Sequence, residues 1–236
     1  MKTKLTLTFI IVTVFAGFSK GQSRDNYNMW FQYLMTAQVS DKSTLTALTQ
    51  YRSFDLAYDT RLFLLNAYLD YEVAKGVKPA AGAMFLVLES YNSDNTKRIR
   101  YEKRPFQQVT LESNIGRTSI SNRFRVEERF LNNPDEFIVR IRYLLSIRIP
   151  FNRKGEKEKL YGILKNEIRM NMVKDEPFDS NRITAGLGIK VGRNSAIELA
   201  FINQLETGKT SNYGFLGFRN NFDWRKKKNN NIITTI

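Results

Sequence analysis

Near the middle of the chain, Phe137, Val139, Ile141, Tyr143, Leu145, Ile147 and Ile149 fall on one parity, and Arg140, Arg142, Ser146 and Arg148 fall on the other. Successive side chains of a β-strand point to opposite faces, so this period of two predicts a strand with one apolar and one cationic face. The run before it repeats the design, with Phe124, Val126 and Phe130 set against Arg123, Arg125, Glu127 and Arg129. The intervening turn is Leu131 to Glu136.

The same alternation recurs along most of the chain, and no apolar stripe of helical period reaches three turns. Strands are expected at 29–39, 44–54, 60–71, 76–91, 104–115, 123–130, 137–149, 160–172, 181–191, 196–204 and 213–224. The 60–71 run is apolar on both parities, which leaves its facing open. Residues 92–103 read as a loop, or as a loop carrying a strand extension. These runs number eleven, whereas a closed single-chain bacterial barrel wants an even number. The fold expected is therefore all-β, an antiparallel barrel of 10 or 12 strands, with one strand hidden inside Lys97–Arg104 or one split around Val73–Pro79.

Alternation does not say which face looks inward. A soluble sandwich or barrel buries the apolar rows, whereas an outer-membrane barrel turns them to lipid and lines its interior with the polar rows. Three features favour the second arrangement. Several runs are eleven to thirteen residues long, against about 5–6 for a typical globular strand and about 9–11 for one crossing a bilayer. Aromatic residues gather near strand ends, as in interfacial girdles: Trp30, Tyr51, Phe54, Tyr71, Tyr91, Phe106, Phe130, Phe137, Phe151, Tyr161, Phe178, Tyr213, Phe222 and Trp224. The polar rows carry both signs of charge, Arg with Glu, which satisfy each other through bidentate hydrogen bonds.

A transmembrane β-barrel with a polar interior lined by Arg and Glu follows as the expectation. Its lumen ladder comprises Arg52, Arg104, Glu112, Arg123, Arg125, Glu127, Arg129, Arg140, Arg142, Glu167, Arg169, Arg182 and Glu198. Lys165 shares the polar face of its strand. Glu128 breaks the pattern, because strict alternation puts it on the lipid face beside Val126 and Phe130. A charge is tolerated there only near the interface, so Glu128 is expected near a strand end.

Composition narrows the chemistry. The 236 residues include no His and no Cys, which excludes Ser-His-Asp and Cys-His nucleophiles and the usual zinc sites. A Glu127–Glu167 acid/base pair is the remaining candidate, weighed against the simpler role of both as arginine partners. No enzyme activity, cofactor or metal is expected.

Lys2 and Lys4 precede the apolar run Leu5 to Phe18 and the small residues Ser19 and Gly21, the pattern of a secretory signal peptide over residues 1–21. The apolar core is shorter than the ~20 residues of a spanning helix. The barrel is expected over 22–224 and a basic polar tail over 225–236. Formal net charge is +14, and removing Lys2, Lys4 and Lys20 with the leader leaves about +11. No basic helix or stacking platform suggests nucleic acid.

Some of these positions form an ordered series. Trp30 and Arg52 are followed by E-x-R-x-F-x-Q at Glu102, Arg104, Phe106 and Gln108, then by Arg123, Arg125, Glu127 and Arg129, then by Arg140, Arg142 and Tyr143. Asn166–Glu167, Phe178–Asp179 with Asn181–Arg182, Gly186 with Gly188, and Glu198, Phe201 and Gln204 complete it. The series resembles the bacterial outer-membrane β-barrel family filed as domain of unknown function 2490, across nearly the whole chain after the leader. Phe106 stands where the family pattern has Trp, and Phe201 where it has Tyr. The basic stretch after Trp224 also departs from barrels that end on an aromatic residue. The resemblance implies a fold and an outer-membrane location but no activity. Lipid, lipopolysaccharide and the barrel-assembly machinery are the partners it implies, and an arginine-rich lumen favours small anionic solutes. A soluble periplasmic barrel or sandwich around an apolar ligand is the alternative, and it requires the opposite facing.

Overall fold

The computed structural model describes residues 28–151, 159–172 and 177–225. The sequence readings of a signal peptide and of the tail beyond 225 fall outside the described residues. Within them the chain forms eleven strands: β1 Met29–Gln38, β2 Ser43–Ser53, β3 Thr60–Tyr71, β4 Val77–Tyr91, β5 Lys97–Ile115, β6 Thr118–Leu131, β7 Glu136–Pro150, β8 Leu160–Asn171, β9 Phe178–Lys190, β10 Ser195–Glu206 and β11 Lys209–Asp223.

Consecutive strands pair antiparallel, and β1 pairs parallel with β11 to close the barrel, Met29 opposite Gly214 through Gln38 opposite Asp223. The closure corrects the expected count of ten or twelve. An all-antiparallel ring admits only even numbers, but one parallel seam lets an odd number close without an edge. Lys97–Arg104 does not hold an extra strand; it is the first part of the 19-residue β5. Its alternation is masked in the sequence by charge, because Arg98, Arg100 and Glu102 crowd around Ile99 and Tyr101. The β10–β11 connection is likewise shorter than its polar composition suggests. Only Thr207 and Gly208 separate the strands, and Gly208 takes a φ of 71° that suits glycine.

The apolar rows face outward. Tyr33 on β1, Leu65 on β3, Phe85 on β4, Val109 on β5, Phe124 on β6 and Ile141 on β7 are exposed, as are Leu164 on β8, Leu187 on β9, Leu199 on β10 and Phe218 on β11. Aromatic rings pair across neighbouring strands on this exterior, as in Phe31–Tyr51, Phe85–Tyr101, Phe124–Tyr143 and Phe130–Phe137. Glu128 lies three residues before the end of β6, only partly exposed and opposite Val139.

The barrel interior has two kinds of wall. Leu62, Leu64, Met84, Leu86 and Phe106 pack into one buried cluster inside β3–β5, with Leu48, Tyr68 and Leu88 against it. Burying such side chains contributes roughly 1.5–3 kcal/mol each. This cluster explains why β3 is apolar on both parities: Phe63, Leu65 and Leu69 point out while Leu62 and Leu64 fill the interior. A second cluster joins Trp30, Ile202, Tyr213 and Phe215. Trp30, Phe106, Tyr161 and Tyr213 are all buried at 6% exposure or less, which removes them from the expected exterior girdle. Nearness to a strand end does not fix which face a ring occupies; the parity of each of these four places it inside.

Candidate functional site

The remaining inner wall, from β5 to β9, is a network of arginines and carboxylates. Glu102 is fully buried and accepts two bonds from Arg129, Nε to Oε1 at 2.5 Å and Nη2 to Oε2 at 3.0 Å. Arg104, two residues along β5, donates Nε to the same carboxylate at 2.8 Å and Nη1 to Glu127 at 3.1 Å. Glu127, also fully buried, is paired with Arg125 at 3.5 Å and accepts from Arg142 Nη1. The other arm of Arg142, Nη2, donates to Glu167 Oε1 at 2.6 Å. Arg142 therefore bridges the two glutamates, with Arg123 and Arg182 reaching Glu167 at 3.2 and 3.5 Å.

The network extends through Asp179, which binds Arg140 Nη2 at 2.6 Å and lies 3.3 Å from Arg169 Nε. Simple alternation would turn Asp179 outward. Between β8 and β9 the register shifts: Arg169 opposes Ser180 and Met170 opposes Phe178, leaving Asp179 as the extra residue of a bulge. A bulge re-aims one side chain out of sequence with its neighbours, and here it brings a carboxylate to two buried guanidinium groups. Neutral acceptors complete the wall. Gln108 accepts from Arg125 Nε at 2.9 Å, Asn171 from Arg140 Nε at 3.2 Å, and Gln204 from Arg182 Nε.

Thus Glu102, Glu127, Glu167 and Asp179 hold eight arginines: Arg104, Arg123, Arg125, Arg129, Arg140, Arg142, Arg169 and Arg182. Glu198 stands apart, taking a bond from the Tyr161 hydroxyl at 3.0 Å and an ion pair with Arg219 at 3.3 Å. Arg52 is buried inside, and its Nη2 donates to Gln50 Oε1 at 2.9 Å. Its guanidinium carbon lies 3.5 Å from the centre of the Trp30 ring. Glu112, included in the ladder from its parity, is exposed near the end of β5 and pairs with Lys78 at 2.7 Å. Its parity is that of the lumen, but β5 carries it beyond the buried stretch.

Alternation found most of the wall but not Asp179, whose bulge leaves no period-two signal, although its place in the F-D-x-N-R series marks it. Trp30 and Tyr161 carry an inward parity that their position near strand ends obscured. At the rim beside Arg52, the β2–β3 turn is organised by Asp55. Its Oδ1 accepts the backbone N–H groups of Ala57, Tyr58 and Asp59 at 3.0, 2.9 and 3.0 Å. These bonds, that from Asp59 foremost, hold the Asp55 carboxyl below the usual carboxylate range. Among the described residues no cluster of three or more acidic side chains is arranged to hold a metal ion.

Residues 27–214 match the family described as Protein of unknown function (DUF2490). The chain belongs to that family. Glu102, Arg104, Arg125, Glu127, Glu167 and Arg182 of this DUF2490 barrel all lie within the matched region and within the buried network. No curated protein and no solved structure matches the chain.

Proposed function

We propose that this chain is a non-enzymatic outer-membrane β-barrel whose arginine-rich lumen is a structural lock that leaves at most a narrow path favouring small anions. The observation that carries the reading is the distribution of polarity. Large apolar side chains are exposed on the outside of ten of the eleven strands, while the charged ladder, Glu112 apart, lies within. In water such an exterior is a liability far larger than the few hundred Å² of apolar patch usual on a soluble monomer. In a bilayer the same band is solvated by lipid, and strands of 10 to 19 residues suffice for the crossing, for which about 9–11 are needed. Lipid and lipopolysaccharide then contact the outer face, and insertion falls to the barrel-assembly machinery.

The lumen supports the second half of the reading. Barrels of about eight strands are filled by side chains and wide channels need about sixteen; eleven strands with four carboxylates and eight arginines across one wall lie near the filled end. Arginines outnumber acids there, so an anion is the solute that the field admits. Glu127 and Glu167 serve as arginine partners, each engaged by several guanidinium groups, rather than as an acid/base pair. A soluble barrel holding an apolar ligand needs the reverse facing.

Fractionation tests the location: the protein should pellet with membranes and leave them only in detergent. Recovery in the soluble periplasmic fraction would overturn the proposal. In planar bilayers the purified barrel should be silent or show small anion-selective steps; large cation-selective currents would contradict the lumen assignment.

A further inference from the structure

We infer that the lumen contains an oxyanion site, with donors suited to a phosphate group, formed by Arg52, Arg61, Arg182, Trp30 and Ser211 at the mouth beside the β2–β3 turn. The site deepens the anion-favouring reading of the lumen and rests on it. The argument begins with an imbalance. Along β5–β9 each of the four network carboxylates, Glu102, Glu127, Glu167 and Asp179, is engaged by two or more arginines. At this mouth the guanidinium groups of Arg52 and Arg61 meet neutral amide oxygens, and Arg182 has Gln204 and a 3.5 Å contact with Glu167.

Arg52 makes no ion pair among the described residues. Its one hydrogen bond goes to the neutral Gln50, its Nε is buried without an acceptor, and the side chain is 9% exposed. Arg61, Arg142 and Arg169, all of its own sign, are among the groups that act on it. Trp30 lies against it with Nε1 also buried and unpaired. Arg182 approaches the same indole from β9, at 5.1 Å from the ring centre, and holds Glu167 only at 3.5 Å. On β11, Ser211 has a buried hydroxyl with no partner, two residues from Tyr213 on the same face. Arg61 completes the group. The register between β2 and β3 slips beside it, with Arg52 opposite Leu62 and Ser53 opposite Thr60, which makes Arg61 the extra residue of a second bulge. Its guanidinium sits 5.4 Å from the Tyr213 ring, and its hydrogen bond is to the Asn28 amide oxygen at 3.4 Å.

Guanidinium, indole N–H and hydroxyl donors thus gather where, among the described residues, the 3.5 Å contact of Arg182 with Glu167 is their one ion pair. Buried donors are normally satisfied, so a cluster of them without acceptors marks a place for a ligand that brings acceptors. A phosphate group carries close to two negative charges and several strong acceptor oxygens. Its tetrahedral oxygens can meet donors from different directions, which a planar carboxylate cannot, and guanidinium forks suit it.

Trp30 supplies the readout. The chain has two tryptophans, so Trp224→Phe leaves Trp30 alone. The full-length Trp224→Phe protein in non-ionic detergent is titrated with inorganic phosphate, and in a second arm with lysophosphatidic acid in the same micelles, while Trp30 fluorescence is followed. A saturable change is expected that sodium chloride at equal ionic strength does not reproduce. Arg52→Gln should weaken the half-saturation at least tenfold, and Arg61→Gln, near the rim, at least threefold with unchanged heat-modified gel mobility. Saturation by inorganic phosphate assigns a free solute. Saturation by the lipid alone assigns a lipid phosphate, and the site stands in both cases. No response in either arm, an equal response to chloride, or indifference to both substitutions in folded barrels overturns it. The titration reads no current. A barrel that binds phosphate but passes no ions loses conduction and keeps the site, whereas a conducting barrel with a silent Trp30 loses only the site.

Discussion

The ring of Tyr161 lies over Gly188, its cross-strand partner on β9, so closely that a Cβ on Gly188 would stand 2.1 Å from the ring's Cζ. The glycine leaves the hollow into which the phenol fits, and from there the hydroxyl reaches Glu198 at 3.0 Å. Gly188→Ala should therefore displace a fully buried ring and destabilise the barrel by about 1–3 kcal/mol, the usual range for overpacking. Urea midpoints of the refolded protein measure this. In a Tyr161→Ala background the same substitution should cost far less; an equal cost in both backgrounds would show that the ring is not the reason for the glycine.

Arg142 joins Glu127 and Glu167, and Arg142→Met would leave two buried carboxylates short of a partner. Removing one member of a buried pair typically costs about 3–5 kcal/mol. Arg123→Met should cost clearly less, because Arg123 makes a single 3.2 Å contact and is 20% exposed. Denaturant midpoints in the reverse order would count against the bridge.

Asp179 tests whether the β8–β9 bulge has a purpose. Asp179→Ala removes the acceptor of Arg140 and Arg169, and the loss is expected at roughly 1.5–3 kcal/mol, the value of hydrogen bonds to charged groups. Asp135→Ala, in the exposed β6–β7 turn, should be neutral within about 0.5 kcal/mol. Similar midpoints for the two variants would deny the bulge its role.

The Asp55 carboxyl titrates below its ordinary range because three backbone N–H groups bind its ionised form. A carboxyl lowered on folding contributes its stability above the unfolded value of about 3.9 and loses it as pH falls through the folded one. Amide exchange at Ala57, Tyr58 and Asp59 should stay slow through pH 4 and speed up only below it. Asp55→Asn should flatten that dependence, and an unchanged pH profile in the variant would assign it to another group.

Much of the fold can be read in the sequence because a barrel wall is a period-two object. Ile141 and Arg142 declare opposite faces by position alone, and the same rule places Glu127, Glu167 and Arg182 in the lumen. Legibility fails where the period slips. Asp179 and Arg61 occupy bulges, and a bulge is decided by the partner strand, which no single run of residues contains. The strand count fails for a related reason. Antiparallel neighbours are implied by short turns, but the β1–β11 seam joins residues nearly two hundred positions apart and has no turn to announce its direction. Trp30 shows a third limit: its parity is inward and its chemistry suits an interface, and only the contacts with Arg52 and Arg182 decide between them.

The parallel seam also gives the polypeptide a sidedness. Because β1 and β11 run the same way, Asn28 stands at one mouth and Arg225 at the other. In a membrane, the backbone on either side of the barrel is then exposed to different compartments, so a peptide epitope fused at one end and its counterpart at the other answer to antibodies on opposite faces. An even-stranded barrel returns both ends to the same face; this one carries them to opposite mouths.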